Sequence, residues 1–288
     1  MKRKILAFVT VLVLLCGLAG CSGNDRVIRV GVTSSRLPIA AEGRNGPEGF
    51  EIELCRLMAE EMGREVQFRL VTAEEGLAEL AAGKLDLVTG LGNGVTGGDT
   101  VAVIGPYMQE KLVTVFPTAD TVTTLAALAG KRVALRRDDA AAAWLAANPA
   151  VKNSFSSTVF VEDLYSAMLD IMVSDYHAAL MTETEARWRI TRNSMKLRIG
   201  PALNGEGDPR YFALTPDSTL AGHVGTALYE LSLSGKLTEL SERWFGADIL
   251  PDAETLKKNF DIILTEEPPT AGEDEESSAH SSGLSVTE

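Results

Sequence analysis

Histidine and cysteine, the residues that most often carry catalysis and metal chemistry, are nearly absent: the chain has 3 of each in 288 residues. Cys16 lies in an apolar leader, which leaves Cys21 and Cys55 beyond it, and Cys55 falls on the apolar side of a predicted helix. A disulfide framework is excluded, so stability has to come from a packed core. The histidines beyond the leader, His177, His223 and His280, are far apart in the chain. No Gly-x-Ser-x-Gly elbow occurs, and no Cys/His cluster has metal-ligand spacing, so nothing points to a metal or any other cofactor. Basic charge is short as well. Against 40 Asp and Glu stand 27 Lys and Arg, a net charge of −13 that excludes a nucleic-acid partner.

The two ends differ from the middle. Lys2, Arg3 and Lys4 precede an apolar run, Ile5 to Leu15, broken only by Thr10. A basic start, an apolar stretch and then small residues have the order of a secretory signal. The run to Gly20 is shorter than the roughly 20 residues a spanning helix needs. It ends on Leu18-Ala19-Gly20-Cys21, which resembles a bacterial lipobox. That resemblance implies a signal peptide over 1–20, lipidation of Cys21 by diacylglycerol, and a linker at 21–25 that tethers the protein to a membrane outside the cytoplasm. At the other end Glu266, Glu267, Pro268, Pro269, Glu273, Asp274, Glu275 and Glu276 mix with serines. Residues 251–288 are expected to be an acidic tail too polar to offset the entropy of ordering.

Between the ends, strand and helix patterns alternate. Val27 to Val32 reads as a strand, Glu51 to Gly63 as a helix with Ile52, Cys55, Met58, Ala59 and Met62 on one face, and Val66 to Val71 as a strand. Glu74 to Ala82 is a second helix and Leu85 to Val88 a third strand. The same order returns in Lys131–Leu135, Asp138–Ala147, Ser157–Val161, Leu164–Val173 and Ala178–Met181. Two β-α-β-α-β units predict an α/β fold of two Rossmann-like lobes. Helical stretches at Ser218–Gly235 and Leu237–Trp244 follow the second unit and have to pack on one lobe or the other.

Gly92-Asn93-Gly94-Val95-Thr96-Gly97 fits the dinucleotide fingerprint, but its context does not. Gly98, Thr100, Val101, Val103, Ile104, Gly105 and Pro106 are poor helix material, so no helix N-terminus would face a pyrophosphate. The segment reads as a loop at the carboxyl end of a strand, where α/β sheets place ligands. Glu51/Glu53 and Asp138/Asp139 read as solvated charges at helix termini rather than as acid/base pairs.

A set of segments in fixed order resembles the polar-amino-acid type of extracellular solute-binding protein that serves ATP-driven (ABC) importers. They are Ile28-Arg29-Val30-Gly31-Val32, Gly49-Phe50-Glu51-Ile52-Glu53-Leu54, Ala59-Glu60-Glu61-Met62-Gly63 and Leu80-Ala81-Ala82-Gly83-Lys84-Leu85-Asp86-Leu87. Gly105-Pro106-Tyr107, Leu128-Ala129-Gly130-Lys131-Arg132-Val133-Ala134, and Gly235-Lys236-Leu237 through Trp244-Phe245-Gly246 complete the set. The resemblance implies a type 2 periplasmic-binding-protein (Venus-flytrap) fold with a two-strand hinge. Lobe one would be 26–114 and 211–250 and lobe two 115–210, with crossings near Phe116-Pro117-Thr118 and Asp208-Pro209-Arg210. It also implies a monomer that captures a small polar solute for permease subunits, is not an enzyme, and returns its last helices to lobe one.

At the family's ligand site the chain departs from the pattern. Arg36 and Ile39 stand where the resemblance implies stacking aromatics, and Gly97 where it implies the carboxylate-gripping arginine, with Gly94 at the accompanying threonine. Thr182, with Glu183 beside it, stands where an aspartate would pair an amino group. Candidate ligand contacts are Arg36, Asn93, Gly94, Arg136, Arg137, Thr182 and Glu183, and the three arginines favour an anionic or carboxylated solute unless they are surface charges. The rival readings are a sensory or degenerate flytrap without transport duty and a lyase-type enzyme on the same scaffold. The enzyme would have to work with Glu183, His177 or the Asp138/Asp139 pair.

Overall fold

A computed structural model describes residues 26–95, 99–120, 124–173 and 175–262. The leader, Cys21 and the acidic stretch from Thr265 lie outside the described residues. The chain opens with β1 (Val27–Val32), a hairpin of β2 (Ala41–Gly43) and β3 (Gly46–Glu48), and helix α1 (Phe50–Glu61). Next come β4 (Glu65–Leu70), α2 (Ala73–Ala81), β5 (Leu87–Leu91) and β6 (Ala102–Glu110). β7 (Leu112–Pro117), a 3-10 turn (Leu125–Leu128), β8 (Arg132–Arg136), α3 (Ala140–Ala147), α4 (Pro149–Ser154), β9 (Ser157–Val161) and α5 (Leu164–Met172) follow. β10 (Ala178–Thr182), α6 (Glu183–Asn193) and β11 (Leu197–Ala202) lead to β12 (Asp208–Leu214), α7 (Leu220–Leu233), α8 (Lys236–Phe245) and α9 (Ala253–Asn259).

Two five-stranded sheets result, in the orders β4-β1-β5-β12-β6 and β11-β7-β10-β8-β9. In the first, β1 runs parallel to β4 and β5, while β12 is antiparallel to β5 and β6. In the second, β8 runs parallel to β9 and β10, while β7 is antiparallel to β10 and β11. Each sheet thus takes, next to one edge, the segment that has just arrived from the other: β12 beside β6 in the first and β7 beside β11 in the second. The two-lobed α/β fold read from the sequence is present.

The crossings sit elsewhere than expected. β6 ends at Glu110 in the first sheet and β7 begins at Leu112 in the second, so the chain crosses at Lys111. It returns over residues 203–207, and Asp208, Pro209 and Arg210 already belong to the first sheet. The crossings placed at Phe116–Thr118 and Asp208–Arg210, and the lobe boundaries at 114/115 and 210/211, move accordingly. The reason lies in β7, whose run Leu-Val-Thr-Val-Phe is buried on both faces. Such a strand has no polar alternation to tell which sheet it joins.

Local rules explain the elements that matter to the site. In α1 the buried residues Ile52, Cys55, Met58 and Ala59 recur at helical spacing and pack against Ile28, Val30 and Val32 of β1. Cys55 is a free thiol in this core, as expected, and burial pushes its pKa well up. Thr72 and Glu75 form a reciprocal capping box that starts α2. Asp139 caps α3 by accepting from the Ala141 and Ala142 amides. Arg29 grips Asp86 through its backbone N–H, Nε and Nη2 at 2.7–2.9 Å, fixing the turn that feeds β5.

The last helices do return to lobe one. Phe245 of α8 packs on Phe50, with ring centroids 5.0 Å apart, and Leu228 and Leu231 of α7 join the same core. The tail expected from 251 onward needs correction, because α9 is part of this lobe. Leu256 is fully buried, Phe260 lies against Phe212 and Gly225, and the Asn259 side-chain amide donates to the Pro106 carbonyl at 2.7 Å. Two apolar side chains four positions apart suffice to dock so short a helix.

Candidate ligand-binding site

The carboxyl ends of β1 and β5 lie side by side, and the segments leaving them line a recess of about 200 Å³. Thr33, Ser34 and Ile39 come from the loop after β1, Gly90 from β5, Met108 and Glu110 from β6, Arg210 from β12, and Glu51 from α1. Gly90 has φ +75°, and a β-carbon there would stand 2.5 Å from Thr33 Oγ1 and 3.3 Å from the Glu51 carboxylate oxygens. Only glycine leaves the two groups in place.

Two buried acids flank the recess. Glu51 is 1 % exposed; it accepts from Thr89 Oγ1 at 2.6 Å and from the Tyr107 hydroxyl, which in turn accepts from the Gly90 amide at 3.0 Å. Burial raises its pKa, opposed by those hydrogen bonds and by the charge of Arg210. Glu110 is 3 % exposed and stands beside the Lys111 crossing. Its carboxylate accepts from Thr184 Oγ1 at 2.8 Å, a residue of α6 in the other lobe. Burial pushes its pKa up to about 7, against the opposing pull of the Thr184 hydroxyl and of Arg210.

The Glu110 contact ties stability to pH. In the unfolded chain this carboxyl ionises near 4.5, and in the folded chain near 7. The contribution is therefore fully present below about pH 4.5 and is lost as pH rises through about 7, a change on the order of 3 kcal/mol. Glu110→Gln should remove that dependence. In urea melts, the stability of the variant relative to the parent should rise by about this amount from pH 4 to pH 8. An offset independent of pH would contradict the assignment.

The residues proposed from the sequence are scattered. Arg36 lies exposed after β1, its carbonyl accepting from Ser34 Oγ and the Ala40 amide, while its neighbours in the same loop line the recess. Asn93 and Gly94 form an exposed turn just beyond β5 and are not among the residues that line the recess. Arg136 is engaged by the protein itself: Nη1 and Nη2 meet the Glu185 carboxylate at 3.0 and 2.7 Å, and Asp139 lies at 3.7 Å. Arg137 stacks on Phe160 at 4.7 Å from the ring centroid. The Thr182 hydroxyl accepts from the Glu185 amide as the N-cap of α6, so it is a helix start rather than a ligand acid. Glu183 pairs with Arg187 at 2.7 Å and lines a separate groove with Gln109, Lys111 and Glu206. Of the seven, only Arg36, Asn93 and Gly94 border the recess in sequence.

Three recess residues escape the sequence reading: Glu110, Glu51, expected as a solvated helix-start charge yet 1 % exposed, and Arg210. Arg210 was placed at a crossing, yet β12 is antiparallel to β5 with Tyr211 opposite Leu91, and this register brings the guanidinium to the end of β5. A β-carbon on Gly92 would lie 3.5 Å from Arg210 Nη1. Pattern alone gives no hint of this, because the two strands are more than a hundred residues apart. A wider groove of about 650 Å³ runs along α3, walled by its alanines with Arg137, Asp138, Lys152 and Phe160. It shares no residue with the recess, and its charges are of both signs.

Among the described residues no group of three or more His, Cys, Asp or Glu could hold a metal ion, and no helix is long and apolar enough to cross a membrane. The arrangement suits capture. A small polar recess in one lobe faces a hinge whose buried acid is held by the other lobe, and rotation about two crossings needs few backbone changes.

Comparison with known proteins agrees with this geometry. The family model for bacterial extracellular solute-binding proteins, family 3, matches residues 28–247. Probable amino-acid-binding protein YxeM of Bacillus subtilis is 26 % identical over 269 residues, covering 86 % of this chain and 98 % of its own. L-cystine-binding protein TcyJ of Escherichia coli is 24 % identical over 269 residues, with 86 % and 97 % covered. Among solved structures, the substrate-binding protein of a polar amino acid ABC uptake transporter from Streptococcus thermophilus superposes with a TM-score of 0.71. It is 20 % identical and covers 82 % of this chain and 91 % of its own. The unliganded, open L-cystine solute receptor of Neisseria gonorrhoeae gives 0.65 at 22 % identity, with 80 % and 96 % covered. With the family model spanning both lobes, the chain belongs to the bacterial extracellular solute-binding proteins of family 3.

Proposed function

We propose that this protein is held to the outer side of a bacterial membrane by lipid on Cys21 and captures a small polar, amino-acid-like solute for an ABC importer. The observation that carries the reading is the recess at the ends of β1 and β5, beside both crossings and built from hydroxyls, buried acids and a guanidinium. Closure of lobe two over such a recess would place contacts on both sides of a guest, so binding would favour the closed state. The names of YxeM and TcyJ, an amino-acid-binding and an L-cystine-binding protein, support an amino-acid-like solute. Neither Glu183, His177 nor the Asp138/Asp139 pair, the groups on which the lyase-type reading relied, lines the recess.

A thermal-shift screen of amino acids, cystine, dicarboxylates, phosphorylated compounds and amines tests the binding role. A solute at a hundred times its Kd should add about 2.7 kcal/mol to stability by mass action. No shift with any class would remove solute capture and favour a flytrap without transport duty. The tether is tested separately, since Cys21→Ala should release the protein from membranes and abolish incorporation of labelled palmitate.

A further inference from the structure

We propose that Arg210, from the return strand β12, is the specificity-determining residue of the recess and grips a monoanionic carboxylate of the solute. This rests on the solute-capture reading above and names the chemistry that the site would select.

Arg210 is half-buried at the recess. Among the described residues its guanidinium makes no hydrogen bond and no ion pair within 4.0 Å, although it lines a recess that also holds two carboxylates. Both acids are engaged elsewhere, Glu51 by Thr89 and Tyr107 and Glu110 by Thr184. Other half-buried arginines of this chain are bound by acids: Arg136 and Arg189 share Glu185, at 2.7 and 2.8 Å. A guanidinium carries five N–H donors in a planar fork that matches a carboxylate with two parallel bonds. Left half-buried and unmatched beside an opening, that fork is a preformed anion contact.

The surroundings choose among anions. Thr33 adds a hydroxyl able to donate to a second oxygen, while Ile39 and Met108 supply apolar wall. Glu51 and Glu110 stand close enough for the charge of Arg210 to act on both. Two acids at this range repel a dianion more than a monoanion, so a carboxylate is favoured over a phosphate group. The volume, about 200 Å³, suits the head of a small solute. The chain has Gly97 where the family resemblance implies a guanidinium, and the recess is lined by one from β12. Gly92 stands beside Arg210: a β-carbon there would lie 3.5 Å from Arg210 Nη1, an ordinary van der Waals contact.

The test is calorimetric titration of the lipid-free full chain with L-amino acids, cystine, the matching carboxamides, the matching decarboxylated amines, and inorganic phosphate. Carboxylate solutes should bind, and their carboxamides should bind at least 100-fold more weakly. Arg210→Met should lose at least 100-fold in affinity for the carboxylate and no longer distinguish it from the carboxamide. Arg210→Lys, which keeps the charge without the fork, should fall between. A thermal melt checks folding of each variant. If Arg210→Met does not fold, Arg210→Lys and the carboxamide comparison on the parent decide the matter.

An amine bound equally by parent and Arg210→Met, or carboxylate preference retained without Arg210, would overturn this assignment and leave solute capture standing. Phosphate bound more tightly than any carboxylate would overturn the choice of anion. Binding of nothing in the panel would overturn solute capture and this assignment together.

Discussion

Glu51→Ala should destabilise the protein by about 3 kcal/mol, read as a fall in the urea midpoint at neutral pH. Glu51 is 1 % exposed and holds three parts of lobe one together: α1, which carries it, Thr89 on β5, and Tyr107 on β6. Removing it leaves the Thr89 and Tyr107 hydroxyls buried without acceptors, each at the cost of an unsatisfied polar group. Burial already raises the Glu51 pKa, so Glu51→Gln, close in shape and able to accept from one hydroxyl, should cost less than half as much as alanine. Equal losses for the two variants would show that the side chain fills space and that its hydrogen bonds add nothing.

A second substitution of large effect lies two residues earlier. Gly49 precedes α1 with φ +139°, a conformation that side-chain-bearing residues rarely adopt, and an added β-carbon would stand 2.6 Å from Ala40 Cα and inside contact distance of the Ile39 carbonyl. Both neighbours are backbone, held by the bonds from the Phe50 and Glu51 amides to the Pro38 and Ile39 carbonyls at 2.8 and 3.0 Å. Gly49→Ala therefore has to move either the start of α1 or the loop that lines the recess. We expect a loss of about 3 kcal/mol or more in a denaturant melt, with solute affinity falling alongside, because Thr33, Ser34 and Ile39 sit on that loop. Gly63→Ala is the control. Gly63 also has positive φ, but nothing lies within 4 Å of its β-carbon position, so its cost should stay near 1 kcal/mol.

The sequence made the skeleton of the lobes legible because amphipathic helices and short strands repeat in it. The strand at Val27–Val32 and the one at Ser157–Val161 fall where the pattern placed them, and α1 differs by a residue or two at its ends. Helix α6 was not legible, since Glu-Thr-Glu-Ala-Arg-Trp-Arg-Ile-Thr-Arg-Asn has too few apolar residues to show a stripe. Its start took Thr182 and Glu183 out of the ligand role assigned by counting along a family pattern. The crossings were displaced because β7 is buried on both faces. The site itself was half legible: the loops after β1 and β5 were identified, while Arg210 depends on an antiparallel register between strands distant in sequence. Arg136 shows the opposite failure, a cation after the right strand whose charge is consumed by Glu185.

Closure of the two lobes on a small solute can be read from the distance between them. Spin labels at Glu74→Cys on α2 and Lys152→Cys on α4 report it from exposed positions, with Cys55 buried and unreactive. Pulsed dipolar spectroscopy would be recorded without solute and with the solute giving the largest thermal shift at saturation. Lobe closure should shift the distance distribution to a distinct second population on binding, reversed when the solute is dialysed away. A single distribution unchanged by a solute that does raise the melting temperature would contradict it.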